Sequence, residues 1–105
     1  MSTREIAGIT VDIDDEEFLT NPAQWNEEIA VELAREIGID PLTEEHWQVI
    51  KFLRTDYESQ GETPTLRRVA TAGGVEMKKL YQLFPKKPAK KMSYVAGLQK
   101  PTGCV

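Results

Sequence analysis

The sequence predicts an α+β fold: a small N-terminal β-hairpin or meander packed on a bundle of about five helices, with a flexible C-terminal arm. Three observations carry this reading. Residues 5–13, Glu5-Ile6-Ala7-Gly8-Ile9-Thr10-Val11-Asp12-Ile13, alternate apolar and polar side chains on both sides of a glycine. That period of two is the signature of paired strands. From Asn26 onward apolar residues recur at three- and four-residue spacings between capping residues, glycines and prolines, which is the signature of short amphipathic helices. The length of 105 residues suits one domain with one modest core.

The elements follow in order. A third short strand is expected near Phe18-Leu19. A lone hairpin is marginal in water, so it must lie against the helices. Asn26 is placed as an N-cap, with Glu27 and Glu28 in the positive first turn. Ile29, Ala30, Leu33, Ala34 and Ile37 form the apolar face of that helix, and Gly38 ends it. The second helix starts at Thr43, buries Trp47, Ile50, Leu53, Arg54 and Tyr57, and stops at Gly61. Thr63-Pro64 reads as a cap followed by a first-position proline, opening a short helix that ends near Gly73-Gly74. Val75 to Phe84 reads as a fourth helix closed by Pro85, and Pro88 opens a fifth carrying Tyr94 and Val95. From Gly97 the helical period is lost, and the stretch to Val105 mixes two glycines with a proline. Residues 1–96 are therefore expected as the globular domain and 97–105 as an arm that spans roughly 30 Å when extended.

Composition removes several classes of function. No apolar run approaches the roughly 20 residues of a membrane helix, and Met1-Ser2-Thr3-Arg4-Glu5 lacks the basic, then apolar, start of a signal peptide. A cytoplasmic protein is expected. With one cysteine and one histidine, neither an internal disulfide nor a zinc site can be built, and no cofactor is expected. Charge is uneven. Residues 1–50 hold thirteen acidic side chains against Arg4 and Arg35, whereas residues 51–105 hold eleven basic ones against Asp56, Glu58, Glu62 and Glu76. Such polarity either pairs within the fold or steers a partner with complementary patches. Lys78, Lys86, Lys87, Lys90 and Lys91 are the candidate docking residues.

Cys104 is the residue on which chemistry would rest. A free cysteine most often serves as a small core residue, a role that suits a mid-helix position better than one beside the last residue. An exposed thiol oxidises readily unless its chemistry is wanted. The thiolate is the nucleophile, and at an ordinary pKa near ~8.5 only about 3 per cent is ionised at pH 7. Lys100 would favour the thiolate and the terminal carboxylate of Val105 would oppose it, so full activation would come from a partner's pocket. Gly97 and Gly103 would act as hinges, and Pro101 would keep the tip extended. His46 reads as a capping or structural histidine rather than a base. Trp25, Trp47, Tyr57 and Tyr81 read as core aromatics, and Gly73-Gly74 as a turn. Thr65 to Phe84 is similar to a helix-turn-helix with Lys78 and Lys79 on its second helix. That leaves a DNA-binding regulator and a thiol redox sensor as rivals to a thiol that acts as a carrier.

The segment Ala96-Gly97-Leu98 with Lys100-Pro101-Thr102-Gly103-Cys104-Val105 resembles the tail of the DsrC/TusE family. The resemblance continues collinearly through Leu80-Tyr81-Gln82-Leu83-Phe84-Pro85, Pro88-Ala89-Lys90, Leu42-Thr43-Glu44-Glu45-His46-Trp47 and Asn21-Pro22-Ala23-Gln24-Trp25. It implies a hairpin on an orthogonal array of helices and a mobile arm whose penultimate cysteine carries sulfur as a persulfide. TusE-like members take sulfur from a TusBCD-type (DsrEFH-type) complex towards tRNA thiolation. DsrC-like members, the gamma subunit of dissimilatory sulfite reductase, insert the arm into that enzyme and hold sulfur between two arm cysteines. Here Ser93 stands at the second cysteine position, eleven residues before Cys104, which implies a single-cysteine relay. Thr102-Gly103 nevertheless follows the DsrC ending. The stretch between Ala72 and Met77 is shorter than is usual in the family, and Lys78 replaces a common arginine.

Overall fold

Two strands and five helices form in the order the pattern predicts, in a computed structural model that describes residues 2–101. Strands β1 (Ser2–Ile6) and β2 (Ile9–Ile13) pair antiparallel, with Ser2 opposite Ile13 and Ile6 opposite Ile9. Ala7 and Gly8 turn the chain at φ 52° and 80°, the doubly positive geometry whose twist suits a two-residue hairpin loop. Ile6, Val11 and Ile13 are buried on one face, against Ile29 and Leu33. The expected third strand is reduced to one bridge, Leu19 to Ile13.

Helix α1 (Glu27–Glu36) starts where the Asn26 side chain accepts from the Ile29 amide at 2.9 Å. It buries Ile29, Ala30, Leu33 and Ala34. Helix α2 (Glu44–Gln60) ends at Gly61, which has φ 78°. At its start Thr43 and His46 cap each other: the Thr43 amide donates to His46 Nδ1 at 3.0 Å. The His46 ring is 7% exposed and stands edge-on to Phe84, and its Nε2 lies 2.8 Å from the Leu83 carbonyl. Because Nδ1 accepts, the ring proton must sit on Nε2 and be donated to Leu83. This histidine ties α2 to the end of the fourth helix. His46→Ala leaves that carbonyl without a donor and is expected to cost about 2 kcal/mol, read as a lower urea midpoint with an unchanged slope.

Helix α3 (Leu66–Thr71) begins two residues later than Thr63-Pro64 predicts. Thr65 makes the cap, accepting from the Arg68 amide at 3.1 Å, while Thr63 and Pro64 are buried as part of the connection from α2. Arg68 then holds Asp56 of α2 through two hydrogen bonds of 2.7 and 2.8 Å. These bonds keep the Asp56 carboxyl below its usual pKa. Helix α4 (Met77–Leu83) is shorter than the 75–84 expected, because Glu76 starts it without a side-chain cap bond and Phe84 leaves it at φ −127°. Helix α5 (Pro88–Val95) opens on Pro88 as predicted.

Leu53, Val69, Leu80, Phe84, Met92 and Val95 centre the main core cluster. The aromatic expectation needs correction. Trp25, Trp47 and Tyr57 are only partly buried against that core, and Tyr81 is 50% exposed. Among the described residues no helix is long and apolar enough to cross a membrane.

Candidate functional site

Sequence reasoning places the functional cysteine beyond Gly97, so the site begins where α5 hands over to the C-terminal segment. Helix α5 is closed by the Ala96 amide donating to Met92 at 3.0 Å and the Gly97 amide donating to Tyr94 at 3.2 Å. Gly97 turns the chain at φ 73°, and the Leu98 amide then donates back to the Ser93 carbonyl at 3.1 Å. This is the left-handed closure that glycine permits after a helix. The segment from Gly97 has no helical period, but its described part is not detached from the body. Leu98 is 0% exposed and belongs to the main core cluster, and Pro101 is buried, while Gln99 and Lys100 face solvent. Thr102, Gly103, Cys104 and Val105 lie outside the described residues.

Two side chains from distant parts of the chain fix this root. The Trp25 indole N–H donates to the Val95 carbonyl at 2.9 Å. Arg54, from α2, lies with its guanidinium carbon 4.1 Å from the Trp25 ring centroid. Its two terminal nitrogens donate to the carbonyls of Ala96 at 2.7 Å and Pro22 at 2.8 Å. A planar cation can serve both carbonyls and stack on the ring at once. Burial pushes the Arg54 pKa down and Glu58 opposes that shift. Gly97 lies so close to Trp25 that a Cβ there would fall 2.3 Å from the indole Cδ1. Sequence reasoning placed Arg54 in the buried stripe of α2 but not in this role. Its only signal was a guanidinium among apolar residues, and its acceptors are backbone carbonyls far away in sequence.

The predicted lysines fall into separate groups. Lys100 Nζ pairs with Glu16 at 2.8 Å, and Lys90 Nζ approaches the other oxygen of the same carboxylate at 3.9 Å. Lys100 holds the Glu16 carboxyl below its usual pKa. Glu16, Lys90 and Lys91 line a cavity of about 270 Å³ with Phe18, Ile37 and Tyr94. Lys91 also donates to the Pro85 carbonyl. Glu16 therefore joins the site as an anchor that the sequence did not reveal. The Tyr94 hydroxyl donates to Glu36 at 2.9 Å and accepts from Arg4 at 3.1 Å. Burial, followed by its bond to Glu36, pushes the Tyr94 phenol up to about 12. Lys78 is exposed on α4, and Lys86 and Lys87 are exposed in the turn after it. Ser93 is fully buried, donating to the Ala89 carbonyl at 2.8 Å. Among the described residues no cluster of His, Cys, Asp or Glu is placed to hold a metal ion.

The comparisons agree with this architecture. A family model described as "DsrC like protein" matches residues 5–105. A sulfurtransferase TusE from Yersinia pseudotuberculosis is 37% identical over 108 residues, covering 96% of this chain and 99% of that one. The solution structure of Pyrobaculum aerophilum DsrC/gamma subunit of dissimilatory sulfite reductase superposes with TM-score 0.80 at 43% identity, covering 99% of this chain and 95% of that one. The NMR structure of Allochromatium vinosum DsrC gives TM-score 0.83 at 40% identity, covering 99% and 98%. With its hairpin, its five helices and a match that runs through the last residue, the chain belongs to the DsrC-like protein family.

Proposed function

We propose that this protein is a sulfur-relay carrier that accepts sulfane sulfur on Cys104 and passes it to a partner protein. The observation that carries the reading is the family match through residue 105, which includes the Lys100-Pro101-Thr102-Gly103-Cys104 ending. Relatives named sulfurtransferase TusE, matched over almost the full length of both chains, support it.

In the reaction, the Cys104 thiolate attacks the outer sulfur of a donor persulfide. A new S–S bond forms on Cys104, the donor's S–S bond breaks, and the donor leaves as a thiolate. The return step is the same displacement with the acceptor's thiolate as nucleophile. Neither step changes the total oxidation level, so no external oxidant is needed, and the rates follow thiolate fraction and access. The donor would be a complex of TusBCD or DsrEFH type. The acceptor would be a tRNA thiolation enzyme or a sulfite reductase. With Ser93 buried and bonded within its own helix, the sulfur is held on one cysteine rather than between two. The clamped root at Ala96–Leu98 would then serve as the fixed point from which the terminal residues present the thiol.

The test is intact mass after incubation with a persulfide donor. A gain of one sulfur atom that disappears in Cys104→Ser is expected. A redox sensor would instead form glutathione or intermolecular disulfide adducts on Cys104, and absence of any sulfur gain would overturn the relay.

A further inference from the structure

The exposed apolar side chains of the body are concentrated on one short helix. Met77 is 39% and Tyr81 50% exposed, and they are the large hydrophobic side chains left in solvent among the described residues. Both are on α4, four residues apart, which puts them one above the other on the same face. Lys78 and Gln82, also exposed, complete that face, while Leu80 and Leu83 on the opposite side are buried in the core.

Exposed lysines lie on this helix and in the turn that follows it. Lys79 is neutralised by Glu45 at 3.0 Å, and Glu76 sits at the N-terminal end of the helix. Lys78 flanks Tyr81 at the three-residue spacing, and Lys86 and Lys87 follow directly beyond the C-terminal end. Both lysines are exposed and in the left-handed region, with φ 59° and 53°. Glycine would adopt that backbone at no cost, whereas an L side chain pays roughly 1–2 kcal/mol. Neither side chain is buried, so both ammonium groups are presented to solvent.

We infer that the outer face of α4, with Met77 and Tyr81 as apolar anchors and Lys78, Lys86 and Lys87 as its cationic rim, is a docking surface for an acidic protein partner. The inference rests on the relay reading, in which that partner is the sulfur donor. Tyr and Met are enriched at the centres of protein interfaces, and charged residues at their rims. A nucleic-acid surface would instead need a continuous run of phosphate contacts, and Lys79, central on this helix, is already engaged by Glu45.

The test uses the chain carrying Cys104→Ser, so that binding is read without chemistry, titrated calorimetrically with a purified TusBCD-type donor complex. Tyr81→Ala is expected to weaken binding at least tenfold. The combined Lys78→Glu, Lys86→Glu and Lys87→Glu variant should bind still more weakly and lose the dependence on salt. Lys51→Glu, a single charge reversal elsewhere on the surface, should leave affinity at the parent value. Tyr81 is half in solvent, so its truncation leaves the fold intact. Absence of measurable binding, or unchanged affinity in the α4 variants, overturns the surface. So does a band shift showing that the same variants lose duplex DNA or tRNA instead. Sulfur loading of Cys104 by a small polysulfide is scored separately, so failure of the relay and failure of the docking surface are distinguishable.

Discussion

Gly97→Ala should lower stability by about 3 kcal/mol or more, since a left-handed φ costs an L residue roughly 1–2 kcal/mol and the steric cost comes on top. The added Cβ would lie 2.3, 2.6 and 2.8 Å from Cδ1, Cγ and Cβ of Trp25. Contact with the Trp25 Cβ means that rotating the indole away cannot relieve the clash. Moving the whole residue would break the 2.9 Å bond to Val95 and the stack with Arg54. The measurement is urea unfolding followed by tryptophan fluorescence, together with hydrogen exchange at the Leu98 amide. A lower midpoint with loss of Leu98 protection is expected. Stability equal to the parent chain would mean that the root is not clamped.

Arg54→Ala should cost a similar amount by a different route. The Ala96 carbonyl is on a fully buried residue and, like that of Pro22, would lose a charged donor. Each such loss is worth about 1.5–3 kcal/mol, giving an expected total of about 3–6 kcal/mol. In a domain of this size that is a fall in Tm of roughly 12 °C or more. Arg54→Lys should recover only part of it, because an ammonium cannot serve two divergent carbonyls while lying flat on an indole. Full recovery by lysine would show that charge alone holds the root.

Local features of the fold were legible in the sequence, and distant pairings were not. The caps at Asn26 and Thr43 and the proline start at Pro88 were read correctly, because a cap is decided by a few adjacent residues. Two threonines compete for the start of α3. Thr65 takes the role because Thr63 and Pro64 are buried, which only the folded chain reveals. Leu98 has no periodic neighbours, so its place in the core was invisible, and it follows from the return of the chain after Gly97. Arg54 was found on the right face of α2, but its acceptors lie 32 and 42 residues away. Tyr81 was read as a core aromatic. Leu80 and Leu83 fill the buried side of α4 instead and leave the ring outside.

The most direct measurement follows one labelled sulfur atom through a single turnover. The outer sulfur of a donor persulfide is isotopically labelled, the loaded protein is separated from donor, and a tRNA thiolation enzyme or a sulfite reductase is added. The relay requires the label to appear first on Cys104 and then on the acceptor, with Cys104 returned to a free thiol. Label that never reaches Cys104, or that stays there as a dead-end disulfide in the presence of either acceptor, would contradict it.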